Sequence, residues 1–312
     1  MRKRIYLPVI VLALFLSFNA YSQRYSPFSP EQTDLQKQNL KGPVKSTSNL
    51  IYPILRKEGD KYIVSNSDLV FIYMYNQKGN QVQRRTMQSD SIVVSKTIYH
   101  FDDQGRPLSY TTHIGGKLWR KEVFQFDKKG NHIGIKNFGK NEQLEYRDVY
   151  QLDATGRKKE ERTYNSKDSL TGKGLFWYFK EDNISIEKWY GKNGVFRSWY
   201  EYTFNDKGLL IQEKEYEEGG GPIGRILFTY DARGNLLERL KSVRNANNTT
   251  RYVYTYDEND NITSLKIYDR NEKLLETNTY GYLYDAKGNW IEKLEYVDGV
   301  EKKMRKRAIY YY

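Results

Sequence analysis

Cysteine is absent from the 312 residues. The chain therefore has no disulfide framework, no thiolate zinc site and no cysteine nucleophile. Proline is scarce, at seven residues. After Pro53 only Pro107 and Pro222 remain, each beside a turn signal. Proline inside a central strand would remove a ladder hydrogen bond, so long stretches are left free to run as strands. Metal chemistry has little to build on. The three histidines, His100, His113 and His132, lack metal-spaced partners, and His100 and His132 read as surface residues beside turns. The acidic loops lack the dense oxygen-ligand spacing of a dedicated calcium site. No Gly-x-Ser-x-Gly elbow or phosphate loop occurs. The composition thus reads as a non-enzyme with no cofactor and no metal.

Long apolar runs are also missing, with one exception at residues 8–18. That run follows Arg2, Lys3 and Arg4 and precedes Ala20-Tyr21-Ser22. A basic start, a short apolar core and small residues at the cleavage positions make residues 1–22 a predicted signal peptide. The run is too short to span a bilayer. Residues 23–39 read as a flexible polar leader, and residues 40–312 as the folded domain. The expected location is the periplasm, the cell surface or the medium. Removing the first three cations lowers the formal charge from +12 to +9. Acids and bases alternate through most of the chain, as in residues 157–162, which is the pattern of solvated strand faces and argues against a nucleic-acid partner. The densest basic cluster, Lys302, Lys303, Arg305, Lys306 and Arg307, reads as an exposed last strand.

What the chain has in abundance is one short phrase. "TYDARGNLLERL" at residues 229–240 puts Asp231 after an aromatic residue and Gly234 three places later. Its glycine recurs at Gly79, Gly105, Gly130, Gly156, Gly208, Gly234 and Gly288, with Asn183 and Asp260 in two weaker copies. The spacings run from 25 to 28 residues, which marks a tandem array. Asp102, Asp127, Asp153, Asp231, Asp257 and Asp285 hold the aspartate position, where a side chain can accept backbone N–H groups of a type I turn. Glycine then supplies the left-handed residue that ends a short hairpin loop.

A second turn signal falls inside each period, for example Gly115-Gly116, residues 192–194 and Asp298-Gly299. The intervening runs are rich in Tyr, Val, Ile, Thr and Phe, a strand composition. The fold class is therefore all-β. Tandem antiparallel β-hairpin repeats, about nine units with a period near 26, form one long twisted meander sheet of about eighteen strands, open or curled.

The unit Tyr230-Asp231-Ala232-Arg233-Gly234-Asn235, with Tyr284-Asp285-Ala286-Lys287-Gly288-Asn289 and Phe126-Asp127-Lys128-Lys129-Gly130-Asn131, resembles the YD repeat, also called the RHS repeat. Residues 40–46 resemble the start of small exported YD-repeat proteins of Bacteroidota. Large members enclose a C-terminal toxin or cargo in a β-sheet shell. This chain shows neither the effector segment nor the Pro/Gly-rich core that precedes it, so the resemblance implies the repeat architecture and no catalytic residue.

Both strand faces mix polar and apolar residues. Read with a period of two, Trp290, Glu292, Leu294 and Tyr296 share one face. The pairs Trp177-Tyr178, Trp189-Tyr190 and Trp199-Tyr200 put one aromatic on each face and form a candidate surface for sugar or peptide. The leading expectation is an exported, non-catalytic binding or scaffold module for a protein or glycan of the envelope, with exposed edge strands open to self-association. Two alternatives stand beside it. One is an outer-membrane β-barrel, compatible with the strand number and Tyr312 but opposed by mixed faces, short turns and a mean hydropathy of −0.83. The other is a remnant or partner of an RHS toxin-shell system.

Overall fold

A computed structural model describes residues 33–65, 69–88, 92–243 and 248–312. The expected signal peptide and most of the leader lie outside these residues. Within them a one-turn helix, α1 (Asp34–Lys37), precedes twenty-one strands, β1 (Val44–Glu58) through β21 (Val300–Tyr311). All the pairings are antiparallel, and from β3 (Leu69–Tyr75) onward each strand pairs with the next.

The sheet does not stay open. β1 pairs with β3 on one side and with β21 on the other, so Thr47 lies opposite both Tyr73 and Ile309. Twenty strands thereby form a closed ring, and only β2 (Lys61–Val64), paired to the far end of β1, stands outside it. This corrects the expected open meander, and it removes the two free edges. The registers, followed around the ring, accumulate a stagger of roughly 22 residues, which tilts the strands by about 40° and makes the ring about 40 Å across.

The repeated phrase builds one rim. In the β15–β16 hairpin (Pro222–Tyr230, Leu236–Val243) the Gly234 N–H donates to the Asp231 carbonyl at 3.1 Å, and the Asp231 N–H donates to the Asn235 carbonyl at 2.9 Å. Gly234 sits at φ 94°, where a Cβ is strained. Tyr230 then faces Leu236 while Thr229 faces Glu238, so Leu237 is the extra residue of a bulge. The same turn and the same register shift recur at Tyr75, Phe101, Phe126, Phe204, Tyr256 and Tyr284. Neighbouring turns are laced together. Lys78 Nζ donates to the Asp103 carbonyl at 2.5 Å, Lys207 Nζ to the Ala232 carbonyl at 3.0 Å, and Arg233 Nη1 to the Glu258 carbonyl at 3.3 Å.

The tenth place in this rim is filled by both ends of the chain. The Tyr312 N–H donates to the Pro43 carbonyl at 3.0 Å, as Asp231 does to Asn235. Gly42, at φ 78°, holds the glycine place. Val44 faces Tyr311 across the same kind of bulge. The split unit is therefore a complete repeat in two pieces. Part of the segment expected to be a loose leader is docked here. Thr33 and Gln36 form a capping box on α1. The Leu35 N–H donates to the Gly79 carbonyl at 3.1 Å, the Gln81 N–H to Asp34 Oδ2 at 2.7 Å, and the Tyr75 hydroxyl to Gln38 Oε1 at 2.8 Å. Leu35, Leu40, Val44 and Tyr75 bury one another. This cluster covers the seam.

Candidate functional site

Closure gives the two sheet faces different fates. Nearly all buried strand side chains, Thr47, Thr97, Asn137, Tyr202, Phe228 and Leu265 among them, share one face through the registers. Met304 is the exception, on the other face. Side chains crowd together on a concave wall, so the buried face is the inner one. Among the described residues no helix or strand is placed as a plug inside the ring, and strands contact their sheet neighbours. The inner wall is the concave surface with convergent polar groups, and it is the candidate site.

Tyrosines organise this wall. The hydroxyls of Tyr178, Tyr230, Tyr256 and Tyr282 donate to the carbonyls of Lys158, Leu210, Leu236 and Ile262, at 2.9, 2.7, 2.8 and 2.7 Å. Each partner lies twenty residues earlier, so one contact is repeated from unit to unit. Burial pushes the Tyr178 phenol up to about 12. Burial raises the phenols of Tyr256 and Tyr282 as well, so these three remain neutral donors at ordinary pH. At the rim Tyr284 donates to Asp257 and Tyr311 to Asp285. The aromatic residue of one unit thus binds the turn aspartate of the unit before it.

Inner-wall charge is segregated. From β7 (Lys117–Phe126) to β14 (Leu210–Tyr216) the wall carries Glu122, Asp148, Glu161, Glu187, Glu213 and Glu215 against Arg120 and Lys158. From β16 through the seam to β4 (Gln81–Gln88) it carries Arg239, Lys241, Lys293, Lys303, Arg305, Arg307 and Arg84 against Glu276 and Glu295. The two arcs face each other across the lumen. The cluster at residues 302–307, expected as one exposed patch, is split by strand alternation. Lys303, Arg305 and Arg307 point inward, and Lys302 and Lys306 are exposed outside.

The turn residues stand where the sequence puts them. Asp127 Oδ1 accepts the N–H groups of Lys129 and Asn131 at 2.8 and 2.9 Å. Asp102, Asp153, Asp231, Asp257 and Asp285 repeat the motif, with Gly79, Gly105, Gly130, Gly156, Gly208 and Gly288 all at positive φ. These are structural positions.

The six aromatics of the candidate surface are not gathered into one site. Tyr178, Trp189 and Tyr200 are on the inner wall; Trp177, Tyr190 and Trp199 are outside. Trp189 packs edge-on against Phe176 at 5.4 Å, and the Tyr200 hydroxyl donates to Glu215 Oε1 at 3.1 Å. Outside, Trp199 stacks on Tyr216 at 4.5 Å with Lys188 Nζ 3.7 Å from its ring centre. His132 is not a bare turn residue. It lies within 5.1 to 5.5 Å of the rings of Phe124, Phe126 and Tyr150. No group of acids and histidines among the described residues could hold a metal.

No family model and no curated protein matches the chain. Solved structures give distant likenesses. A porin-like protein from Bacteroides uniformis is 12% identical with a TM-score of 0.35, over 86% of this chain and 98% of that one. The structure of a Tc holotoxin pore from Photorhabdus luminescens is 9% identical with a TM-score of 0.20, over 83% of this chain and 18% of that one. At these TM-scores neither likeness carries an argument, and the reading below stands on the ring itself.

Proposed function

We propose that this chain is a non-enzymatic hollow β-barrel of the bacterial envelope that works through its lumen. Closure of the ring by β1 and β21 carries this reading. It shifts the weight from an open scaffold surface to a barrel, the alternative raised by the strand number. Apart from the short β2, the closed wall has no free strand edge to offer a partner, and its polar groups converge inward. We read the ring as a ten-unit version of the YD repeat, with the tenth unit split between the termini.

The outer wall bears on where the barrel sits. Lys96, Lys121, Lys136, Arg147, Arg225 and Lys266 are among the cations at mid-strand on the outer face. A lipid-facing Lys or Arg costs about 2–4 kcal/mol at the bilayer midplane, so a belt of them opposes insertion. Several lie over rings instead, such as Arg147 4.3 Å from the centre of Tyr164 and Arg251 4.5 Å from Tyr268. This favours a barrel in the aqueous part of the envelope, against an anionic surface.

A membrane-spanning pore is the second reading. It is favoured by closure with an even strand number and by the outward aromatics Phe138, Tyr164, Tyr190, Tyr216, Tyr268 and Tyr296, which line one rim like a girdle. Fractionation of expressing cells separates the two. The aqueous reading expects release by salt or carbonate and no conductance in planar bilayers. Carbonate-resistant protein that shifts on heating in detergent gels and forms channels would establish the pore in its place.

A further inference from the structure

We propose that the inner wall at the seam, where β20 (Trp290–Val297), β21 and β1 meet, is a binding site for a small multivalent anion bearing phosphate or carboxylate groups. It rests on the closed ring and not on where the barrel resides. Lys293 and Arg305 stand directly opposite each other in the β20–β21 pairing. Arg307 stands opposite Asn49 and donates from Nε to Asn49 Oδ1 at 2.8 Å. Lys303 is on the same face, two residues from Arg305. One carboxylate reaches two of the four. Glu295 Oε1 is 2.5 Å from Arg305 Nε and 3.8 Å from Lys293 Nζ.

Like charges opposite one another in a sheet destabilise it, and half-buried charges need partners. Lys293 and Arg305 side chains are only 19% and 31% exposed. Aromatic faces supply part of what is missing. The Arg307 guanidinium lies 3.5 Å from the centre of the Trp290 ring, and Lys293 Nζ lies 4.1 Å from that of Tyr280. Those contacts fix the cations without neutralising them. A guanidinium seated on a ring face, as Arg307 is on Trp290, suits forked recognition of phosphate or carboxylate. The acidic arc across the lumen localises the effect, because an anion entering the ring is repelled from β7–β14 and drawn to the seam.

The test is calorimetric titration of the purified mature chain in low salt, with tripolyphosphate in one arm and citrate in the other. At least one should bind. Lys293→Met, Arg305→Met and Arg307→Met keep the apolar stems and should each weaken binding about tenfold. Outer-wall Lys136→Met and Lys266→Met should stay within about twofold of the parent. Glu295→Gln has the opposite sign. It removes the competing carboxylate and should tighten binding several-fold, so the outcome does not hinge on a loss that misfolding could mimic. Absence of binding in both arms, equal losses from inner and outer variants, or weaker binding by Glu295→Gln would each overturn the site.

Discussion

Asn289 and Lys41 are 248 residues apart and bond each other twice. The Lys41 N–H donates to Asn289 Oδ1 at 2.8 Å, and Asn289 Nδ2 donates to the Lys41 carbonyl at 2.9 Å. Asn289 is 1% exposed and also donates to the Tyr311 hydroxyl at 2.7 Å. One amide therefore joins the last motif turn to both pieces of the split unit. Asn289→Ala should cost about 2–3 kcal/mol, since it strands the half-buried Lys41 carbonyl and N–H together. Asn131 holds the same motif place, but its side chain reaches Asp127 of its own turn at 2.8 Å. Asn131→Ala should cost about 1 kcal/mol. Urea midpoints of the two variants check this, and equal losses would remove the special role of the seam.

Ring closure can be trapped covalently, because no native cysteine interferes. Ser48 and Ala308 are opposite each other in the β1–β21 pairing and point outward. Ser48→Cys with Ala308→Cys should oxidise to an intramolecular disulfide that speeds migration of the denatured chain. Pairs opposed in a sheet fall within the distance a disulfide spans. A chain that keeps both thiols free under oxidant would show an open ring in solution. Deleting residues 33–43 should leave β1 and β21 without their turn and cap, and light scattering should then report association through the freed edges.

How far the sequence foretells this ring depends on what each residue needs to know. Gly234 and Asp231 need only their own turn, and the turns, the period and the strands are all legible from them. Closure is different. It depends on the sum of small staggers over twenty strands, and no local signal at Val44 or Tyr311 announces it. Leu40-Lys41-Gly42-Pro43-Val44 carries the glycine and the following apolar residue of the motif, but the aromatic that completes it is Tyr311, 269 residues beyond Gly42.

The strand faces depart from simple alternation for a local reason. Period-two counting puts Trp290 with Glu292, Leu294 and Tyr296. The bulge after Tyr284 faces Trp290 with Tyr284 and Glu292 with Leu283, so Trp290 turns inward, onto the wall that holds Lys293 and Arg307. Most hairpins carry such a bulge, and counting across it exchanges inside and outside. The inner charge arcs were hidden for the same reason.

The turn aspartates make the rim sensitive to acid. The backbone N–H of Arg106 is foremost in lowering the Asp102 carboxyl, and the side-chain amide of Asn131 in lowering Asp127. Asp153 is desolvated, which works against ionisation, yet the Thr155 hydroxyl and the N–H groups of Arg157 and Thr155 bring it down to about 2. A carboxyl lowered in the folded state contributes stability above its unfolded value and loses it as pH falls through the folded one. The chain should therefore lose stability progressively from about pH 4 to pH 2. Asp153→Asn keeps the turn acceptor, lowers stability at pH 7, and should lose less of it than the parent over that window. Thermal midpoints measured from pH 7 to pH 2 decide this, and parallel curves would contradict it.

Lys293 has the opposite dependence. Burial pushes its ammonium down to about 8, with Arg305 and Arg307 adding to the fall and Glu295 opposing it. Tyr280 and Tyr282 face it from β19 (Leu274–Tyr284), and burial raises both phenols, Tyr280 to about 12, so they stay neutral while Lys293 titrates. In the unfolded chain the amine titrates near its ordinary value of about 10.4. Between about pH 8 and pH 10 the unfolded state binds the extra proton, and this residue's contribution to stability rises with pH. Below pH 8 the charged amine is a full penalty. Lys293→Met should thus stabilise the ring at pH 7 by about 2 kcal/mol, with the advantage shrinking toward pH 10. Adding tripolyphosphate at pH 7 should shrink it as well, because a bound anion supplies the missing partner to the native lysine and not to methionine. A variant equally stabilised at pH 7 and pH 10, or untouched by the anion, would mean that Lys293 carries no such charge penalty.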